Sequence, residues 1–210
     1  MITKKGGWEP AIADYSEAIK LDPNLLWLYS SRGVAYSNNR QYDLAVLDCS
    51  EVIKREPKNS IGYNCRGVAY EGLKNYGRAI ADYDQSIGIN PKNGVAYWNR
   101  GNAYMALLRI DKIDDAIRDY DRAIAINPKD FNSFNSRGKA YVAKGERNQA
   151  IVDYTQAIQF NPSYVEAYNN RGLTYEALDR RAEAIADFRK VQSIDSADQV
   201  SKQQLRMLGF

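Results

Sequence analysis

A glycine recurs at positions 33, 67, 101, 138 and 172, at a constant interval except for the step from 101 to 138, which is slightly longer. Each sits in one phrase, written in full as Asn99-Arg100-Gly101-Asn102-Ala103-Tyr104 and repeated in Arg32–Tyr36, Arg66–Tyr70, Arg137–Tyr141 and Arg171–Tyr175. A fixed period of this length means that one supersecondary unit is copied along the chain, each copy burying its apolar face on its neighbours. Other positions keep the same register. An aromatic stands four places before each glycine (Tyr29, Tyr63, Tyr97, Phe134, Tyr168) and a tyrosine three after it. Further on come Ala45, Ala79, Ala116, Ala150 and Ala184, then Val52, Ser86, Ala123, Ala157 and Val191. Proline follows at 57, 91, 128 and 162. Within a copy, Tyr97, Gly101 and Tyr104 share one helical face, as do Ala116, Tyr120 and Ala123, so each unit reads as two helices. The residue before each proline is pushed out of the α region, which ends the second helix.

This pattern resembles the tetratricopeptide repeat family over nearly the whole chain. The resemblance implies an all-α fold, a right-handed superhelical solenoid of antiparallel helix pairs forming a single array over residues 1–210. Its parts are a half repeat over 1–25, full repeats over 26–59, 60–93, 94–130, 131–164 and 165–196, and a capping helix over 197–210. In the half repeat, Trp8, Ala11, Tyr15, Ala18 and Pro23 match Tyr42, Ala45, Cys49, Val52 and Pro57 one period further on. Its first helix is missing, so the stripe of Ile12, Tyr15, Ala18 and Ile19 is expected to stay partly exposed. The repeated glycine costs about 1 kcal/mol against alanine inside a helix, which points to close approach of two helices, with alanine on the facing one. Three extra residues in the stretch Leu107–Ile113 are expected to lengthen the first helix of that repeat or enlarge its turn.

The composition excludes several functions. The chain has no histidine, which removes a histidine base, a histidine-containing triad and any histidine-ligated metal. Cys49 and Cys65 cannot build a zinc site by themselves. They fall on neighbouring helices, so a disulfide is conceivable; the favoured expectation is two free thiols, with Cys49 taking the place of a core aromatic. No phosphate-cradling glycine loop and no nucleophile–base pair is present, so neither catalytic residues nor a cofactor are expected. The net charge is +3 with both signs interspersed, unlike a nucleic-acid footprint. No apolar stretch is long enough to span a bilayer, and no signal peptide is visible. A cytoplasmic location is expected, or a periplasmic or exported one if the native N-terminus is longer.

An arginine precedes every repeated glycine, and an aspartate precedes every one of these arginines at a constant separation. Asp14 stands so before Arg32, Asp48 before Arg66, Asp82 before Arg100, Asp119 before Arg137 and Asp153 before Arg171. The expectation is that each arginine lays its stem between helices and meets the aspartate of the preceding second helix. The resemblance further implies that the first helices line a concave groove holding a peptide or a partner's helix. The groove positions are apolar in the first two repeats (Trp27, Val34, Ile61, Val68) and amide-rich in the last three. The candidate binding residues are Asn64, Trp98, Asn99, Asn102, Asn135, Lys139, Asn169 and Asn170. Side-chain amides offer donor and acceptor together, as an extended peptide requires, and Trp98 adds an apolar anchor. Lys139 alone cannot clamp a terminal carboxylate with several cations. The expected role is a non-catalytic protein-interaction scaffold with a protein or peptide partner. A self-associating scaffold, a homodimer built through the uncovered half repeat, is the alternative.

Overall fold

A computed structural model describes residues 7–210, which form twelve α-helices and no strand. The helix α1 (Glu9–Leu21) comes first. Five pairs follow, each with a first helix A and a second helix B. The A helices are α2 (Leu26–Asn38), α4 (Ser60–Gly72), α6 (Gly94–Ala106), α8 (Phe131–Lys144) and α10 (Val165–Glu176). The B helices are α3 (Tyr42–Arg55), α5 (Tyr76–Ile89), α7 (Ile113–Ile126), α9 (Arg147–Phe160) and α11 (Arg181–Ile194). A short α12 (Gln199–Met207) ends the chain. Several helix starts carry a side-chain cap: Asn59 accepts from the N–H of Ile61 and Gly62, Asp130 from that of Asn132, and Asp198 from that of Ser201. Such caps satisfy backbone donors that lack an intrahelical partner.

The helices gather into two compact units, one running through Leu107 and the other starting at Leu108. The division falls in the inserted stretch. The insertion does not lengthen α6, which has 13 residues like α2 and α4. It forms a 3-10 turn, Ile110–Lys112, leading into α7.

Inside each unit the core is a row of small residues and rings contributed by the B helices. Ala45, Ala79, Ala150 and Ala184 are wholly buried, as are Tyr83 and Phe188, with Tyr154 nearly so. The repeated glycine explains the rings. A Cβ added to Gly67 would stand 2.5 Å from Tyr83, one on Gly138 2.6 Å from Tyr154, and one on Gly172 2.7 Å from Phe188. The close approach expected from the sequence is present, but what the glycine admits is the flat face of its own B helix's aromatic rather than an alanine. Overpacking by one methyl at such a site typically costs about 1–3 kcal/mol.

Around Gly33 the arrangement changes, because Cys49 replaces the ring. The sulfurs of Cys49 and Cys65 are bonded to each other across Gly33, with Cα atoms 5.8 Å apart. This corrects the expectation of two free thiols. Cys49 points from α3 to where a ring would lie. Cys65, two places before its own glycine on the next A helix, reaches into the space left, and the Cα separation lies in the range a disulfide requires.

The arginines also bind differently from expectation. Arg32 donates through Nε and Nη2 to both carboxylate oxygens of Asp48, at 2.7 and 2.8 Å. Arg66 binds Asp82, Arg137 binds Asp153 and Arg171 binds Asp187 in the same two-pronged way. Each of these partners follows its arginine, on the B helix of the same repeat, rather than preceding it on the B helix before. The glycine clamps the A helix onto its own B helix, and the adjoining arginine is held to that same helix. Nη1 reaches back, to Ser16, Ser50, Asp84, Asp121 and Thr155 from Arg32, Arg66, Arg100, Arg137 and Arg171. The guanidinium heads also lie over two rings, as Arg32 does over Tyr29 and Tyr36 at 5.8 and 5.7 Å. The repeated Arg–Asp pair is thus an inter-helix rivet.

Candidate binding face

In the first unit, the A helices present one large apolar side chain each at the same place, six positions before the glycine. Trp27, Ile61 and Val95 are 59%, 61% and 58% exposed. One position after the glycine, Val34 is exposed, while Val68 and Asn102 are half-buried. Surface apolar residues that occur singly need no explanation, whereas these three recur at one repeat position on successive helices. Trp98 and Asn64 lie half-buried.

The asparagines among the candidate binding residues divide into two groups. Asn99, Asn135 and Asn169 are buried. The Asn99 amide donates to Asn64 Oδ1 at 3.1 Å, and the Asn170 amide donates to Asn135 Oδ1 at 3.0 Å. Both pairs join the position three before one glycine to the position two before the next, and so pin one A helix to its neighbour. Cys65 holds the equivalent place above Ser30, its sulfur 3.7 Å from that carbonyl oxygen. The Asn169 amide donates to both oxygens of Asp198, at 3.3 Å each, tying α10 to the start of α12. Asn64, Asn102 and Asn170 remain half-buried.

In the second unit the face is polar and centred on Glu166. Its carboxylate accepts from the Asn135 amide at 3.1 Å, from Lys139 Nζ at 3.3 Å and from the Tyr164 hydroxyl at 3.2 Å. Burial raises the Glu166 pKa, but the Lys139 charge and the three donors outweigh it and hold the carboxyl below its ordinary value. Lys139 is exposed, yet its charge is already matched. Beside this cluster, a pocket of about 240 Å³ opens between α8, α9 and α10, lined by Lys139, Val142, Arg147, Asn170, Leu173 and Ala177, with Tyr154 and Thr174 also in its wall. Sequence reasoning missed Val142, Arg147 and Ala177. They lie past the tyrosine of the phrase, beyond the groove positions that the repeat marks.

Among the described residues, no group of three His, Cys, Asp or Glu side chains is placed to hold a metal ion, and no helix is long and apolar enough to cross a membrane.

Paired helices repeated at this period, with their A faces bearing the variable residues, define a helical-repeat interaction module. Models of the TPR repeat match residues 2–39, 110–145 and 138–179, and models of the tetratricopeptide repeat match 60–93 and 165–198. The chain belongs to the tetratricopeptide repeat family, whose fold is that of protein-interaction scaffolds and is generally non-catalytic. Among solved structures it is similar to MamA, at 25% identity and a TM-score of 0.68, covering 83% of this chain and 96% of that one. It is similar to PilW, a widely conserved type IV pilus biogenesis factor, at 19% identity and a TM-score of 0.75, covering 84% and 80%. A third is YrrB, described as a TPR protein with an unusual peptide-binding site, at 17% identity and a TM-score of 0.68, covering 91% and 97%. No curated protein matches the chain.

Proposed function

We propose that the A-helix faces bind a polypeptide, with an apolar stretch of the partner on the first unit and a polar one on the second. The observation that carries this reading is the exposed row of Trp27, Ile61 and Val95, one residue per A helix at a single repeat position. Aromatic and aliphatic side chains displayed this way supply the desolvated anchors that dominate binding energy. The peptide-binding site described for YrrB supports a peptide as the ligand class. On the second unit the 240 Å³ pocket is of a size for one side chain, and Asn170 in its wall, whose amide already donates to Asn135, keeps an oxygen and a second N–H to offer a peptide backbone. A polypeptide is favoured over a nucleic acid because the arginine heads at 32, 66, 137 and 171 are spent on aspartates and form no open basic stripe.

The test is selection of peptides from a displayed random library against the wild-type chain, repeated with Ile61→Asp. Sequences rich in apolar residues are expected on the wild type and should disappear with Ile61→Asp while the circular dichroism melt is unchanged. Enrichment indifferent to Ile61 would remove this face as the site.

Self-association is a second reading, favoured by the half-buried Ala11, Tyr15 and Ala18 of α1. Sedimentation over a range of concentrations tests it; a strict monomer ends it. For location, the Cys49–Cys65 bond supports an oxidising compartment over the cytosol, where such bonds are rare.

A further inference from the structure

The pocket between α8, α9 and α10 opens where another repeat keeps a ring of its own. The B helices α3, α5, α9 and α11 begin at Tyr42, Tyr76, Arg147 and Arg181, which share one repeat position. In the first repeat the Tyr42 ring lies so close to the next A helix that a Cβ added to Gly72 would stand 2.2 Å from it. On later A helices Ala106 and Ala177 hold the place of Gly72. Tyr76, half-buried, is matched in this register to Ala106, so the fold accommodates a ring with an alanine at that place as well. Between the fourth and fifth repeats the two places hold Arg147 and Ala177, and both line the pocket of about 240 Å³. Where the first repeat has its ring, this one has open space. The arginine beside that space is uncommitted. Arg181, at the same position in the last repeat, donates through Nη2 to the Leu208 carbonyl. Arg147 is exposed and takes part in no hydrogen bond, ion pair or ring contact among the described residues.

We propose that this pocket takes an aromatic side chain of the bound peptide, its ring in the place that Tyr42 fills in the first repeat and the Arg147 guanidinium over its face. This rests on the reading that the A-helix faces bind a polypeptide. Val142, Leu173 and Ala177 give the ring an apolar wall. A guanidinium is drawn to the negative face of a ring, and this chain uses that contact elsewhere: Arg180 lies over Tyr175 at 4.4 Å and Arg78 over Tyr70 at 5.5 Å. An aliphatic side chain would fill the space but leave the Arg147 charge unanswered. A carboxylate fits less well. It would give up hydration against the apolar wall. It would also meet a like charge, because Glu166, paired at 3.3 Å with Lys139 of the same wall, already stands beside the pocket. Arg147 is thus the residue that sets which side chain the pocket prefers.

The experiment titrates the isotope-labelled full chain with N-acetyl-phenylalanine amide and follows it by NMR. The methyl signals of Val142, Leu173 and Ala177 and the Nε–H signal of Arg147 should shift together and saturate. N-acetyl-cyclohexylalanine amide keeps the bulk without the π face. It should bind about threefold more weakly, the size of one exposed cation–π contact. Arg147→Met should remove that difference and leave the pocket open. Arg147→Tyr should abolish the shifts, because the chain then fills the place itself; Tyr42 and Tyr76 hold this position in other repeats, so the variant folds. Absence of saturable shifts at these residues overturns the proposal, as does equal affinity for the cyclohexyl probe. Tighter binding of N-acetyl-glutamate amide, or binding that Arg147→Tyr leaves unchanged, overturns it equally. All these signals belong to the second unit. They are read whether or not peptide selection answers to Ile61 on the first, so the two readings fail separately.

Discussion

At the residue scale, one position of the repeat decides how neighbouring helices lock together. The arginine was readable as structural because it recurs beside a packing glycine, but its direction was not. One aspartate before it and another after it both fall on B helices nearby, and the sequence does not say which B helix its own glycine will press against. The structure assigns the two-pronged bond to the later aspartate and leaves a single N–H for the earlier helix. Asparagine hid its role for a similar reason. Positions two and three before the glycine read as groove-facing, yet they lie where adjacent A helices touch, so Asn64 and Asn99 satisfy each other. The rivet makes a prediction. Asp82 is 8% and Arg66 24% exposed in their side chains. Arg66→Met strands a nearly buried carboxylate, and should cost toward the lower end of the about 3–5 kcal/mol typical of broken buried pairs. Arg66→Met with Asp82→Leu should recover most of that loss. Urea melts of the two single variants and the double variant measure the coupling; additive losses would show that the pair does not act as a unit.

At the element scale, the turn from A to B is the same device in every repeat. Arg40, Lys74, Leu108, Gly145 and Asp179 recur at the repeat spacing, and all have φ between 53° and 88°. Only one of the five is the glycine that a left-handed backbone favours. The sequence concealed the turn because its position carries no constant residue type, whereas the helices it joins carry constant ones. The left-handed conformation costs an L-residue about 1–2 kcal/mol. Lys74→Gly should therefore stabilise the protein by about 1 kcal/mol, reduced somewhat by the greater freedom glycine gives the unfolded chain. Gly145→Ala should lose a similar amount, although nothing lies within 4 Å of an added Cβ. Opposite shifts in the denaturation midpoint at the two sites would establish that backbone conformation alone sets them. A gain from alanine at 145 would contradict it.

At the scale of the whole molecule, the period made the architecture legible: a copied A–B pair needs no long-range information beyond its own recurrence. What the period cannot show is where a copy departs from the others, and the disulfide is such a departure. Its two cysteines sit at positions held elsewhere by a ring and by serine or asparagine, so the repeat places them on neighbouring helices but does not say that their sulfurs meet. The bond joins α3 to α4 across a sequence separation of 16, and a loop of that length constrains the unfolded chain by about 3 kcal/mol. In a repeat protein, stability is a sum of each repeat and its contacts with neighbours, so this contribution is local. Cys49 and Cys65 are buried, at 0% and 3% exposure, and a reductant reaches them only when this part of the chain opens. Protein unfolded in denaturant, reduced and refolded should therefore exchange amide hydrogens faster in α2, α3 and α4 than the oxidised protein does. Helices α8 to α11 should keep their protection, because none of their contacts involves the bridge. Equal acceleration everywhere would mean that the chain unfolds as one cooperative block, and the repeat-by-repeat account of its stability would fail.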